Sequence, residues 1–290
     1  MSWGERQLAM LREMGVPPFW PVARQAEPAP VPVPVPESAE PASEPLPEPL
    51  PEPATPPARP VARPPDRPTE RPTERPTERA PAIELGPRPA GVDALDWPEL
   101  EQAVAGCQAC GLCQGRRQAV FGVGHKKARW MIVGEAPGEQ EDREGEPFVG
   151  RAGQLLDRML AALDLSRGEA PEGHQVYIAN VLKCRPPANR NPQPQEVAQC
   201  EPFLLRQVAL VQPDLILAMG RFAVQSLLKT SEPIGKLRGR VHELAGVPVV
   251  VTYHPAYLLR NPADKALAWD DLCLARELQS RLQSRGGSPR

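Results

Sequence analysis

The segment ARWMIVGEAPGEQEDREGEPFVGRAGQLLDRMLAAL, residues 128–163, changes period along its length. WMIV is an unbroken apolar run, of a length suited to a strand buried on both faces. GRAGQLLDRMLAAL repeats its apolar residues at helical spacing and reads as an amphipathic helix. The glycine-rich, acidic stretch between them has neither period and reads as a loop. The alternation continues on both sides. ALDWPELEQAVAG (94–106) reads as a helix upstream. Downstream, QVYIANVLK (175–183), PDLILAMG (213–220) and GVPVVVTYHP (246–255) read as strands. PQEVAQCEPFLLRQVALV (194–211), RFAVQSLL (221–228) and PADKALAWDDLCLARELQSRLQ (262–283) read as helices. Short apolar strands alternating with helices predict an α/β fold. The expected architecture is three-layer αβα, with a central, mostly parallel four-stranded sheet preceded by a disordered proline-rich N-terminal region.

In open α/β sheets ligands bind outside the carboxyl ends of the strands. Three of the four strands are followed there by polar, Gly/Pro-rich sequence: GEAPGEQEDREGEPFVGRAG, NVLKCRPPANRNP and HPAYLLRNP. LILAM is followed only by Gly220 and a helix. GEAPGE alone is a weak signal; three such loops at one sheet edge form a candidate site.

The chain has 290 residues and a formal net charge of -2, so no global basic field advertises nucleic acid, and phosphate binding must come from local clusters. Aromatic residues are only 4%, which predicts an aliphatic core. The opening MSWGERQLAM has no uninterrupted apolar core of an export signal, and no eighteen-residue apolar run follows. A cytoplasmic protein without membrane contact is expected. There are 40 prolines, most of them between Pro28 and Pro89, and such spacing supports neither helix nor sheet ladder. The expected divisions are a short helical peptide over 1–21, a disordered linker over 22–91, a globular domain over 92–285 and a tail over 286–290. Trp3, Leu8, Leu11 and Met14 lie roughly on one helical face. That peptide reads equally as a helix folded back on the domain or as a tethered motif for a protein partner.

CQACGLC, residues 107–113, places Cys107, Cys110 and Cys113 at two-residue gaps, within a total of six cysteines. In a cytosolic chain this points to metal or redox chemistry before disulfides. The triplet looks like a ferredoxin run, but the cysteine–proline that usually follows does not come a few residues later. Four thiolates would suit zinc equally. Spacing does not choose between the two. Cys273 lies among leucines and reads as buried.

Taken together and in order, GEAPGEQED…GEPFVGRAGQLL, YIANVLKCRPPANRNP and HPAYLLRNP resemble the motifs of family 4 uracil-DNA glycosylases, the iron–sulfur branch of the uracil-DNA glycosylase superfamily. The resemblance covers roughly residues 95–284. It implies a monofunctional DNA repair glycosylase, acting as a monomer on uracil-containing DNA. Such an enzyme flips uracil out of the stack and hydrolyses its N-glycosidic bond, the first step in base excision repair of deaminated cytosine. The resemblance further implies a [4Fe-4S] cluster on Cys107, Cys110, Cys184 and Cys200, with Cys113 outside the ligand set. Asn180 would read the uracil edge, Phe148 would stack on the base, and Glu141 would crowd a thymine methyl. His254 would donate to O2 as charge develops. Glu135 would position water or stabilise the sugar cation, and the main-chain amide of Ala136 would contact the base.

DNA grip is expected from Arg151 and Gly153, from Lys236, Arg238 and Arg240, and from Arg260, with Lys183, Arg185 and Arg190 beside the third cysteine. Leu258, Leu259 or Arg260 would wedge into the stack. Two rivals stand beside this reading. A relative that traps uracil-DNA covalently would carry a histidine in the loop CRPPANRNPQPQEVAQC, which has none. A non-enzymatic iron–sulfur DNA-binding module would not need Asn180 and His254 at paired strand ends.

Overall fold

The structure is a computed structural model and describes residues 85–285. The expected peptide over 1–21, most of the expected linker and the 286–290 tail lie outside the described residues. In chain order the elements are α1 (Trp97–Ala105), α2 (Leu112–Gly115), β1 (Val123–Gly124), β2 (Trp130–Gly134), α3 (Glu139–Glu144), α4 (Arg151–Ala161), β3 (Val176–Asn180) and α5 (Pro194–Val211). They continue with β4 (Leu215–Met219), α6 (Arg221–Leu228), α7 (Ile234–Leu237), β5 (Val241–Leu244), β6 (Val247–Thr252), α8 (Pro255–Arg260) and α9 (Lys265–Arg285). Among the described residues no helix is long and apolar enough to cross a membrane.

The sheet has six strands in the order β1-β3-β2-β4-β6-β5, where four were expected. The inner four are the expected parallel ones, and an antiparallel strand is added at each edge. β1 is two residues long and carries no period to read. β5 alternates exposed and half-buried residues inside a stretch that looks like a charged loop. It pairs with β6 through a tight turn at Ala245 (φ 48) and Gly246 (φ 84). Positive φ at both positions makes the strand-twist-compatible hairpin turn, here without the usual Asn-Gly signal.

Register places the strand ends in line. Gly134 pairs with Asn180, Val133 with Ala218, and Met219 with Thr252. The loops after β2, β3, β4 and β6 therefore leave from one edge. All residues of β2, β3 and β4 are buried, and alternate residues feed opposite faces. Trp130, Ile132, Ile178 and Leu217 pack with Leu156, Met159 and Leu160 of α4 and Trp269 and Leu272 of α9. Met131, Val133, Ala179 and Ile216 pack with Leu204 and Val208 of α5 and Val224 and Leu227 of α6. Each such side chain contributes about 1.5–3 kcal/mol relative to exposure.

A third apolar cluster is separate from the sheet. It joins Val92, Leu100, Val104 and Leu112 to Leu182, Cys184, Cys200 and Phe203. Asp96 caps α1 by accepting from the Glu99 N–H at 3.0 Å, while Glu99 accepts from the Asp96 N–H at 3.0 Å. Arg206 of α5 donates to the Leu95 carbonyl at 2.6 Å and holds the start of α1. The packed chain reaches back to Leu85, ahead of Val92, through a bridge between Leu85 and Cys110.

Candidate active site and cysteine cavity

Gly134 ends β2 where two side chains crowd together. A Cβ there would lie 2.4 Å from Asn180 Oδ1 and 2.5 Å from Phe148 Cζ, so only glycine fits. Asn180 is 2% exposed, and its Oδ1 is buried without a hydrogen-bond partner in the structure. Leaving such an acceptor unmade costs about 1–3 kcal/mol, which marks it as a place for a ligand donor.

Phe148 sits in the left-handed backbone region (φ 56) and is buried, its ring stacked on His254 at 5.3 Å between centroids. A strained phenylalanine persists only where its surroundings impose it. Glu141 is the main constraint. Its Oε1 accepts from the N–H groups of Val149 and Gly150, both at 3.1 Å, and its Oε2 accepts from Gly138 at 3.0 Å. Both carboxylate oxygens are occupied by main chain, so Glu141 ties the two ends of the loop that presents Phe148. A Cβ on Gly153 would lie 1.7 Å from the Phe148 carbonyl oxygen, so this buried glycine lets α4 seat beneath the loop.

His254 caps α8. Its Nδ1 accepts from the Ala256 N–H at 3.2 Å. Burial first, and the Arg260 charge second, lower its pKa to about 4 against the opposing pull of Glu141. The ring is therefore neutral at pH 7, and with Nδ1 accepting, the proton resides on Nε2, which is a donor. Gly220 gives the ring room: at φ 87, a Cβ would meet His254 Cβ at 2.9 Å. Gly220 also donates to the Thr252 carbonyl at 2.9 Å, locking the β4 end to the β6 end.

Glu135 follows Gly134, and burial raises its carboxyl pKa to about 7, opposed by the charge of Arg221. Ala136 is next and is partly buried against the cysteine-bearing cluster. Gly220 and Arg221 are the residues that sequence reasoning missed. The available signal was a glycine at the carboxyl end of a central strand, the position that Gly134 also holds.

The expected DNA contacts divide. Arg151, Lys236 and Arg260 are exposed. Arg240 is exposed and pairs with Glu232 at 3.4 Å. Arg238 is removed from the set: its Nε donates to buried Asp271 at 2.8 Å, it also donates to the Leu267 carbonyl, and it lies over the Tyr253 ring at 4.7 Å. Lys183 is buried, and Arg190 is held by buried Glu196 through two nitrogens, so neither is a free surface cation. Arg185 pairs with Glu139 at 3.5 Å. Leu258 is fully buried and cannot wedge; Leu259 is 37% exposed.

Cys107, Cys110, Cys184 and Cys200 line one cavity with Val104, Arg116 and Phe203. Cys113 lines the same cavity, so five sulfurs surround it. Arg116 donates to Cys184 Sγ at 2.8 Å and the Lys183 N–H to Cys200 Sγ at 3.2 Å. Burial raises the thiol of Cys184 to about 11 and that of Cys200 to about 12. Among the described residues no three Cys, His, Asp or Glu side chains close around one point as a single-ion site. The donors are sulfur, the walls are apolar, and two N–H groups point at the sulfurs. That set fits a thiolate-ligated group larger than one ion.

Known proteins resemble this chain across the described domain. The family model for the Uracil DNA glycosylase superfamily matches residues 121–273. A Type-4 uracil-DNA glycosylase of Pyrobaculum aerophilum is 40% identical over 188 residues, 62% of this chain and 93% of that protein. One from Archaeoglobus fulgidus is 41% identical over 179 residues, 59% of this chain and 86% of the relative. One from Thermotoga maritima is 43% identical over 168 residues, 57% and 84% of the two chains. With a doubly covered parallel sheet whose strand-end loops carry Asn180, Phe148 and His254, the chain belongs to the uracil DNA glycosylase superfamily, in its type-4 branch.

Proposed function

We propose that this chain binds uracil-containing DNA, flips uracil from the stack and hydrolyses its N-glycosidic bond, leaving an abasic site. The observation that carries this reading is the buried, unpartnered Oδ1 of Asn180, which meets Phe148 at Gly134, with a neutral His254 stacked on that same Phe148 ring and its Nε2 a donor. The Asn180 amide accepts from uracil N3–H and donates to O4. Cytosine presents the reverse pattern at both atoms and leaves a buried polar pair unmatched. Phe148 stacks on the base. As the bond breaks, His254 Nε2–H donates to O2 and stabilises the uracil anion. Glu135, as carboxylate, orients water toward the sugar or stabilises its cationic character. The Ala136 main chain borders the base, and Glu141 acts through the loop it ties. Arg151, Lys236 and Arg260 take phosphates, and Leu259 fills the gap left by the flipped nucleotide. Excision from a uracil-containing oligonucleotide, revealed by alkaline cleavage, tests the activity. Uncleaved uracil strand with tight binding would return the trapping alternative.

Cys107, Cys110, Cys184 and Cys200 would hold a [4Fe-4S] cluster, with Cys113 outside the ligand set. When bound, the cluster supplies a covalent cross-link among the segment after α1, the loop after β3, and α5; no step of the hydrolysis needs its electrons. Iron and sulfide analysis of anaerobically purified protein tests this, and stoichiometric zinc without iron would defeat it. Residues 1–84 would act as a tether whose N-terminal peptide meets a protein partner, with the domain from Leu85 to Arg285 carrying catalysis as a monomer.

A further inference from the structure

Lys183 follows the strand that ends in Asn180, in a loop whose charges would ordinarily be read as facing DNA. Instead it is 1% exposed. A buried ammonium is costly unless its protons are accepted and an opposite charge stands near. Its Nζ donates to the Asn180 carbonyl at 2.9 Å, to Gln207 Oε1 at 2.6 Å and to the Phe121 carbonyl at 3.2 Å. All three acceptors are neutral. Lys183 also lines the cavity of Cys184 and Cys200, and its own main-chain N–H donates to Cys200 Sγ at 3.2 Å. Gln207 is itself fixed, donating to the Phe121 carbonyl at 2.9 Å and to the Tyr177 hydroxyl at 3.0 Å. The ammonium thus sits in a rigid cage with the cysteine cavity on one side and the end of β3 on the other.

We propose that Lys183 is a positioning residue: its ammonium, which donates to the carbonyl of Asn180 in a side chain that lines the cavity of Cys184 and Cys200, fixes the strand end that reads uracil. The inference deepens the proposed function and rests on Cys184 and Cys200 being cluster ligands. Ligands of an iron–sulfur cluster are thiolates, so the bound cluster sets fixed negative charge beside the ammonium. The ammonium in turn orients the peptide whose side chain meets the base. The cysteine lobe then does more than staple the domain, because its charge is wired by one side chain to the reading residue.

The test is a double-mutant cycle in the full-length, iron-loaded protein with Lys183→Met and Asn180→Ala. Iron per chain, affinity for uracil-containing DNA and single-turnover excision are measured for each. Lys183→Met is expected to keep its iron and DNA affinity while losing roughly tenfold or more in excision rate, as a small misplacement of a reacting geometry does. In the Asn180→Ala background the same change should cost nothing further, because the two residues act as one unit. Additive losses would overturn the proposal, and so would loss of iron in Lys183→Met, which would make Lys183 a cluster-retention residue. If that variant does not fold, Gln207→Leu removes one acceptor of the ammonium; a smaller loss that vanishes without Asn180 supports the proposal, and an additive one overturns it. Wild-type protein holding zinc and no iron would instead defeat the cluster reading, while the coupling between Lys183 and Asn180 would still be measured by the cycle.

Discussion

His254 reaches its working state without a carboxylate to orient it. A main-chain N–H at 3.2 Å fixes the tautomer, and burial keeps the ring neutral. His254→Ala should therefore lower the single-turnover rate by roughly 10²–10³-fold, the usual cost of an oxyanion donor, with DNA affinity retained. Equal rates would make His254 structural. Because its pKa is lowered to about 4, His254 adds no limb to the rate profile near neutrality. Glu135 does. Its pKa is raised to about 7, so its carboxylate form, and with it the rate, should rise with pH through that value. Arg221 opposes the rise, so Arg221→Ala should move the limb to higher pH, and a profile unchanged in that variant would disconnect the two residues. The folded-state depression of His254 also has a stability sign: as pH falls from about 6.5 toward about 4, the unfolded chain takes up a proton that the folded chain refuses, and stability drops. The positions of Asn180 and His254 were legible because both stand at strand ends, and Phe148 drew notice as an aromatic in a polar, glycine-rich loop. Lys183 and Arg238 were misread because a cation in sequence looks like surface, and burial is a tertiary property. Gly220 and Arg221 were missed because a two-residue strand exit offers no loop to read.

At the scale of elements, α3 and its capping are the device that shapes the pocket. Glu141 caps α3 and also holds Val149 and Gly150, so one carboxylate joins a helix start to the far end of its loop. Gly145 (φ 81) ends the helix and turns the chain toward Phe148. Glu141→Gln can keep only part of this set, since an amide has one accepting oxygen where the carboxylate has two. The variant should lose about 1–3 kcal/mol of stability, a charged hydrogen-bond group's usual range, and should weaken uracil binding more than DNA binding. A variant that admits thymine at undiminished uracil rate would instead show Glu141 acting as a steric gate. The parallel core was legible because strands buried on both faces announce themselves as apolar runs. The edge strands were not: β5 is half solvated, and its turn lacks the common dipeptide, so its pattern is hidden in charge. The cysteine lobe was legible only as a list of sulfurs. That Cys113 shares the cavity follows from the turn after α1, which no spacing rule specifies.

At the scale of the whole molecule, the charge balance limits how DNA is held. The net charge is -2, and the structure removes Arg238, Lys183 and Arg190 from the cations free to meet phosphate. Arg240 is engaged by Glu232, and Arg185 by Glu139. Arg151, Lys236 and Arg260 remain as the proposed phosphate contacts. Counterion release gives a slope of about −0.9 per neutralised phosphate in log K against log salt, so these three predict a slope of about −3 for duplex DNA. Such a shallow dependence means that affinity survives a moderate rise in salt, and that recognition of the flipped base, rather than a charged groove, supplies much of the discrimination. Titrating a catalytically slow His254→Ala variant with uracil-containing duplex across a salt series measures the slope directly. Replacing Arg151, Lys236 or Arg260 singly by Ala should each reduce its magnitude by about one while leaving the uracil-to-cytosine preference intact. A slope two or three times steeper would require basic surface beyond these residues. Repeating the series with residues 1–84 deleted would then show whether the arginines of the RPTERPTERPTER repeat supply it, or whether the paired cations of the domain let go of their carboxylates to bind DNA.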